Sequence, residues 1–270
     1  MSNILTNLPG QQLERYGASR DAFTLIDTAS RRLIPVTWGD FDTRVTNAAC
    51  AFEILGIEPG DMVAIFTPNC PEFIYTDFAC YRNRAIPVAI YATSSPEQVK
   101  FIINDAGAKI AVVGDASHYR TVRSIAKECP TLTKILIIDS SVDIDNDDRM
   151  SLHYSDFLEL GAAASPSCRN DVALRAAAAT PDDTATLIYT SGTTGEPKGA
   201  ILPHSCFNAA LEMHRIRLDR LSDSDTSVSF LPMSHIFEKA WVYFCLSMGM
   251  RGDINRNPKE IQDAVRTARP

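Results

Sequence analysis

The chain has no C-x-x-C pair, no basic excess and no apolar run of membrane-spanning length, and each absence removes a class of function. Its longest apolar stretch, residues 240–250, ends at Arg251 and falls well short of the roughly 18 residues a membrane helix needs. The first ten residues carry neither a cationic start nor a long apolar core, so no secretory signal is read there. With 26 basic against 33 acidic residues the formal charge is -7, and no broad positive field exists to neutralise nucleic-acid phosphates. The seven cysteines, at 50, 70, 80, 129, 168, 206 and 245, stand singly. This argues against a zinc ribbon or a redox dithiol and fits reduced thiols in the cytoplasm, most of them small core residues. Repeats at the periods of solenoids are also missing. What remains, at 45% apolar and 22% charged over 270 residues, is ordinary globular composition with room for one large or two modest domains.

Apolar residues recur at helical spacing between 37 and 55 (Phe41, Val45, Ala48, Ala49, Phe52) and stop near Gly56, which predicts a helix. Gly60-Asp61 then turns into a short buried strand at 62–66, and Pro71 opens a second helix through Tyr81. A strand is expected at 85–91. Ser94 with Glu97, or Ser95 with Gln98, forms a capping box around Pro96, and Gly107 supplies the stop. Strand 109–113, helix 118–128 and strand 134–139 continue the alternation, which predicts an α/β fold with a largely parallel sheet flanked by helices. Residues 139–183 read as a surface excursion with one short helix near 152–160. Asp143, Asp145 and Asp147 alternate there as in a calcium loop, but Asp148 stands where that loop needs Gly and Tyr154 where it needs Glu, so a solvated acidic loop is the better reading.

After a buried strand at 184–190 comes the most informative segment, Tyr189-Thr190-Ser191-Gly192-Thr193-Thr194-Gly195-Glu196-Pro197-Lys198-Gly199. Glycines let successive backbone N–H groups converge on an anion, and the hydroxyls add donors for a phosphate. The segment leaves the end of a parallel strand, where α/β folds place ligands. It is neither a Walker A loop, since Pro197 and Gly199 break that pattern, nor a G-x-G-x-x-G dinucleotide turn. The bland alternative is a mobile Gly/Thr/Pro turn.

These residues resemble the phosphate-loop signature of the AMP-forming adenylating ligases, which include the acyl-CoA synthetases. The likeness extends over most of the chain: Gly60-Asp61-Met62-Val63-Ala64-Ile65 with Asn69, Pro71 and Glu72 is similar to an early strand–helix unit of the family, and Ile86-Pro87-Val88 with Tyr91-Ala92-Thr93-Ser94-Ser95 to the next. Arg84 stands where many members carry glycine. Phe230-Leu231-Pro232-Met233-Ser234-His235-Ile236-Phe237-Glu238-Lys239 resembles a later core motif in the form found in bacterial long-chain fatty acid–CoA ligases. The resemblance implies the N-terminal large domain of the adenylating-ligase fold and an enzyme that joins a fatty acid to coenzyme A at the expense of ATP, with Mg2+ as metal. It implies catalytic roles for His235, Thr190 and Lys198. Thr190, Ser191, Gly192, Thr193, Thr194, Gly195, Lys198 and Gly199 would hold the nucleotide phosphates, with Thr190 also a magnesium contact. Lys198 could equally be a solvated rim lysine, and His204 a cap or packing residue. Glu238 is expected to pair at the surface, and Trp241 to pack in the core.

The resemblance further implies a first α/β subdomain at 60–222, and an incomplete second one from 1–59 and 223–270. The family's Tyr-Gly-x-Thr-Glu and Thr-Gly-Asp motifs, its hinge and its C-terminal lid domain are not found in these 270 residues. The chain is therefore expected to be an N-terminal portion, inactive alone. A ligase for another carboxylate and a noncatalytic nucleotide-binding module are the alternatives. No nucleic-acid partner is expected. The location is cytoplasmic, with peripheral contact to the inner face of the membrane, acyl chain length and oligomeric state left open.

Overall fold

The computed structural model describes residues 4–145, 148–191 and 197–270. In chain order the elements are α1 (Ile4–Tyr16), β1 (Asp21–Asp27), β2 (Arg32–Thr37), α2 (Trp38–Ile54), β3 (Met62–Phe66), α3 (Pro71–Asn83), β4 (Ile86–Ile90), α4 (Pro96–Ala106), β5 (Ile110–Val113) and α5 (Ala116–Ile125). They continue with β6 (Lys134–Ile137), β7 (Ser151–His153), α6 (Tyr154–Ala162), α7 (Pro166–Ala177), β8 (Thr184–Ser191), β9 (Pro197–Pro203), α8 (His204–Arg217), β10 (Thr226–Ser229), α9 (Ile236–Met248), β11 (Arg251–Ile254) and α10 (Ile261–Ala268). Local chemistry sets several boundaries. Ser95 accepts from the Gln98 backbone N–H at 3.3 Å, and the Gln98 side chain accepts from the Ser95 N–H at 3.0 Å. This reciprocal pair satisfies two donors that the first turn of α4 would otherwise leave open. Thr37 caps α2 more simply, its hydroxyl oxygen accepting from the Asp40 N–H.

Among the described residues the strands form two sheets. The larger runs β7-β6-β5-β3-β4-β8-β9, with every neighbouring pair parallel except β8–β9. Its central strands are apolar along their whole length and buried on both faces, as helices on either side require. The smaller sheet runs β10-β11-β1-β2; β10, β11 and β1 are parallel, and β2 folds back on β1. A continuous apolar core joins Phe23 and Phe41 to Phe78, Phe157 and Tyr243. No described helix is long and apolar enough to cross a membrane.

Residues 139–183 depart from the expectation of a surface excursion. They hold β7 and two helices, and α6 packs inward: Phe157 is fully buried, its ring 4.9 Å from that of Phe52. At Gly161 the backbone of α6 approaches α2 so closely that a Cβ would lie 1.7 Å from the Asn47 carbonyl oxygen. That contact is made through a glycine among alanines, so it leaves no apolar stripe in the sequence.

Arg84 ends α3 in the left-handed region, at φ 55°, where glycine is the easy choice. Its guanidinium forms a fork on Asp183, with Nε and an Nη donating at 2.7 and 3.0 Å. Asp183 in turn accepts from the Thr180 hydroxyl just before β8. The ion pair offsets a backbone cost of about 1 kcal/mol. Arg84→Gly, which loses both, is expected to stay within about 1 kcal/mol of the parent in urea unfolding, whereas Arg84→Ala keeps the strain and loses about 1–2 kcal/mol.

Candidate active site

The order β4-β3-β5-β6 reverses the chain's direction of travel across the sheet at β3, and a crevice opens beyond the carboxyl ends of the strands on either side of such a reversal. Here the described residues form a cleft of about 660 Å3. One wall is the set of turns that follow β3 (Thr67, Asn69, Glu72), β4 (Tyr91, Thr93), β5 (Gly114, Asp115) and β6 (Asp139, Ser140). The facing wall comes from the smaller sheet: Pro232 and Ser234 after β10, Arg256 and Asn257 after β11. The turns after β3 and β5 approach closely, since a Cβ at Gly114 would lie 2.6 Å from Thr67 Oγ1.

Two side chains hold these walls. Asn69 bridges them: its Nδ2 donates to the Leu231 carbonyl at 2.7 Å and its Oδ1 accepts from the Met233 N–H at 2.8 Å. His118, buried against Phe66, spans the ends of β4 and β5, with Nε2 3.1 Å from the Ala92 carbonyl and Nδ1 2.8 Å from Asp115. Burial pushes the Asp115 carboxyl up, but hydrogen bonds from Ser117 and His118 outweigh it and hold the group well below the usual carboxylate range.

Residues singled out in the sequence fall in two places. Thr190, exposed near the end of β8, lies opposite exposed Lys198 on β9, so the antiparallel pair brings these two together. One step back, Gly199 lies opposite Tyr189, and a Cβ there would come within 3.0 Å of the tyrosine ring. Glycine at 199 thus has a packing reason. The Tyr189 hydroxyl donates to Asp105 on α4 at 2.6 Å, anchoring the neck of the hairpin. Gly192, Thr193, Thr194 and Gly195 lie outside the described residues, as does the side chain of Ser191. The second place is the start of α9. His235 caps this helix, its Nδ1 accepting from the Phe237 N–H at 3.2 Å. In the neutral ring that bond leaves the proton on Nε2. His235, Thr190 and Lys198 are outside the lining of the cleft, while Pro232 and Ser234, just before His235, are part of it.

Three neighbours differ in character. Glu238, expected at the surface, is buried at 3% exposure facing Ser229 and the backbone of residues 230–231. Burial pushes its carboxyl upward. His204 is a packing residue: it is 2% exposed, its ring stands edge-on to Tyr81, and burial depresses its pKa to about 4. Trp241 donates from Nε1 to Ser227 at 2.9 Å, and its ring lies tilted against Phe244 at 5.4 Å between centroids. The apolar cavity it borders holds only about 10 Å3, room for a single water at most, so the indole fills space here.

Sequence reading missed Asn69 as a staple, because its partners lie more than 150 residues away, and Arg256, the cation among the described residues that line the cleft, because only the fold brings the end of β11 there. It also missed a fully buried ion pair, Asp77–Lys239, at 2.6 Å between α3 and α9.

With this geometry established, comparison with known proteins is specific. The model of the AMP-binding enzyme family matches residues 11–269, and the chain belongs to that family. A long-chain-fatty-acid–CoA ligase, FadD15, of Mycobacterium bovis is 34% identical over 218 residues, 78% of this chain and 34% of the relative. The peroxisomal long chain acyl-CoA synthetase 6 of Arabidopsis thaliana is 31% identical over 228 residues, 81% of this chain and 31% of its own length. The chain thus spans about a third of these curated relatives. Among solved structures, the N-terminal domain of FACL13 from Mycobacterium tuberculosis matches with a TM-score of 0.78 at 22% identity, covering 98% of this chain and 60% of that one. The anthranilate CoA ligase AuaEII in complex with anthranoyl-AMP matches at 0.82 and 19%, covering 97% and 47%. These neighbours share the α/β fold of mostly parallel sheets flanked by helices.

Asn69→Leu leaves the Leu231 carbonyl and the Met233 N–H without partners, and is expected to cost about 2–3 kcal/mol in denaturant unfolding. His204 binds its proton less readily folded than unfolded. The stability it contributes is complete above the unfolded value of roughly 6.5 and is lost as pH falls toward about 4. Thermal melts from pH 7 to 4 should show an acid loss of about 3 kcal/mol from this group that His204→Gln removes.

Proposed function

We propose that the chain carries the N-terminal share of a long-chain fatty acid–CoA ligase, which turns a fatty acid, ATP and coenzyme A into acyl-CoA, AMP and pyrophosphate through an acyl-adenylate. The observation that carries this reading is the 31–34% identity, over about four-fifths of the chain, to relatives named for long-chain acyl-CoA formation. The fold neighbour solved with anthranoyl-AMP supports an acyl-adenylate as the bound species.

A fatty carboxylate is already ionised at neutral pH, so its attack on the α-phosphorus needs no general base. The demand falls on neutralising phosphate charge and on alignment. In this reading the hairpin from β8 to β9 does the first task. The Thr190 hydroxyl and the Lys198 ammonium, side by side across the strands, meet phosphate oxygens, together with Ser191, Gly192, Thr193, Thr194, Gly195 and Gly199. His235 serves the second, its Nε2–H donating to the carboxylate. Pyrophosphate leaves, and the thiol of coenzyme A then displaces AMP.

Magnesium is the metal such chemistry suggests. Thr190 supplies a single neutral oxygen, and among the described residues no three His, Cys, Asp or Glu side chains converge on a cation. These donors do not make a magnesium site by themselves, so no step here is routed through it. We further propose subdomains at 60–222 and at 1–59 with 223–270, and a cytoplasmic location.

ATP–pyrophosphate exchange by the full-length protein tests the reading. Fatty acids of C8–C18 should support at least about tenfold more exchange than acetate or aryl acids, and Lys198→Ala should raise KM for ATP about tenfold, the worth of one charge-assisted bond. Dominance of short or aromatic acids defeats the fatty-acid assignment. The 270-residue chain alone is expected to give none.

A further inference from the structure

We propose that Asp77 and Lys239 are positioning residues, fixing how α9 sits on α3 and so where the turn at 232–235 meets the opposite wall of the cleft. Both side chains are at 0% exposure, with Lys239 Nζ 2.6 Å from Asp77 Oδ2. Tyr243, one turn further along α9, donates to the same carboxylate oxygen at 2.8 Å. Tyr81, one turn further along α3, lies 2.7 Å from the Tyr243 hydroxyl. The ammonium also sits over the Phe73 ring, 5.1 Å from its centroid. Facing turns of two helices are thereby matched residue for residue, while Asp77 Oδ1 keeps no partner.

Stability alone is a poor reason for such a group. Two charges taken wholly out of water lose their hydration, and well-packed apolar side chains of similar volume often do as well or better. What the pair does impose is a single setting. Turning α9 by one residue, or sliding it by one turn, would strand a buried charge, whereas an apolar contact would tolerate either shift.

That setting reaches the cleft by short routes. Asn69 and Cys70, both lining it, immediately precede α3. The turn at 232–235 immediately precedes α9, and the Lys239 N–H donates to the His235 carbonyl at 3.1 Å. Both helices start at the cleft, so docking one on the other sets its two walls, and Asn69 closes the join at the rim. The consequence for catalysis rests on the role proposed for His235; the placement itself does not.

The test compares the parent with Asp77→Leu/Lys239→Leu and with Tyr243→Phe, using thermal melts and amide hydrogen exchange resolved to single residues. The double variant should melt within a few degrees of the parent or above it, while the amides of Met233 and of position 239, each corrected for its intrinsic rate, exchange at least about tenfold faster and amides of β3 and β5 stay unchanged. Tyr243→Phe should accelerate the same two amides about threefold or more. Exchange within twofold of the parent in both variants overturns the proposal. So does failure of the double variant to fold, since the pair would then be a stabilising element and not a setting. Exchange reads placement without turnover, so its failure is distinguishable from failure of the ligase reading in the pyrophosphate assay.

Discussion

Between the two sheets the chain buries a carboxylate and an ammonium with no solvent contact, and the rest of the molecule is arranged around that choice. Asp77 and Lys239 are separated by 162 residues, and each stands on a helix that begins at the cleft. A pair of this kind needs a dry, aromatic surround to keep water from competing, and Phe73, Phe78, Tyr81 and Tyr243 provide it. The two helices therefore cannot be treated as separate layers that happen to touch. Their contact has a direction as well as an area, and the cleft inherits that direction.

The cleft itself is a product of topology. In a sheet whose strand order reverses, neighbouring turns lead away from each other and leave room at their carboxyl ends. Thr67, Asp115 and Asp139 lie along one side of that space because they follow the adjacent strands β3, β5 and β6. The second wall comes from strands that pair with the start of the chain. One wall is built from roughly the first half of the sequence and the other from about its last forty residues, and the Asn69 amide joins them by offering a donor and an acceptor to a short length of backbone, much as a strand would.

How much of this was legible in the sequence follows from the range over which each residue acts. Ser95, Pro96 and Gly107 act on their own neighbours, so the helix between them could be read directly. The same holds for Thr37 and for the apolar runs at 62–66 and 110–113. The hairpin from β8 to β9 stood out as a candidate ligand loop because its composition is so unusual. By contrast β1 and β2 alternate only weakly, and the pairing of β1 with β11 depends on residues more than 200 positions away. α6 meets α2 through Gly161, whose significance is the absence of a side chain. Glu238, Asp77 and Lys239 read as surface residues by type, and only the fold shows them covered. For the site, candidate residues could be picked out by their distinctive chemistry, whereas Asn69 and the Asp77–Lys239 pair, which act across more than 150 residues, could not.

The position of β9 has a bearing on how the molecule behaves in company. Among the described residues it is one of the two outer strands of the larger sheet, β7 being the other, and an open strand edge is an invitation to pair with another chain. Proline stands at both of its ends, Pro197 and Pro203, and neither can donate to an incoming strand. Only five residues between them keep both backbone groups, one of them glycine and one an exposed lysine. A visiting strand would find a foothold too short to hold, so the same edge that presents Lys198 to solvent also discourages the sheet from growing into aggregates.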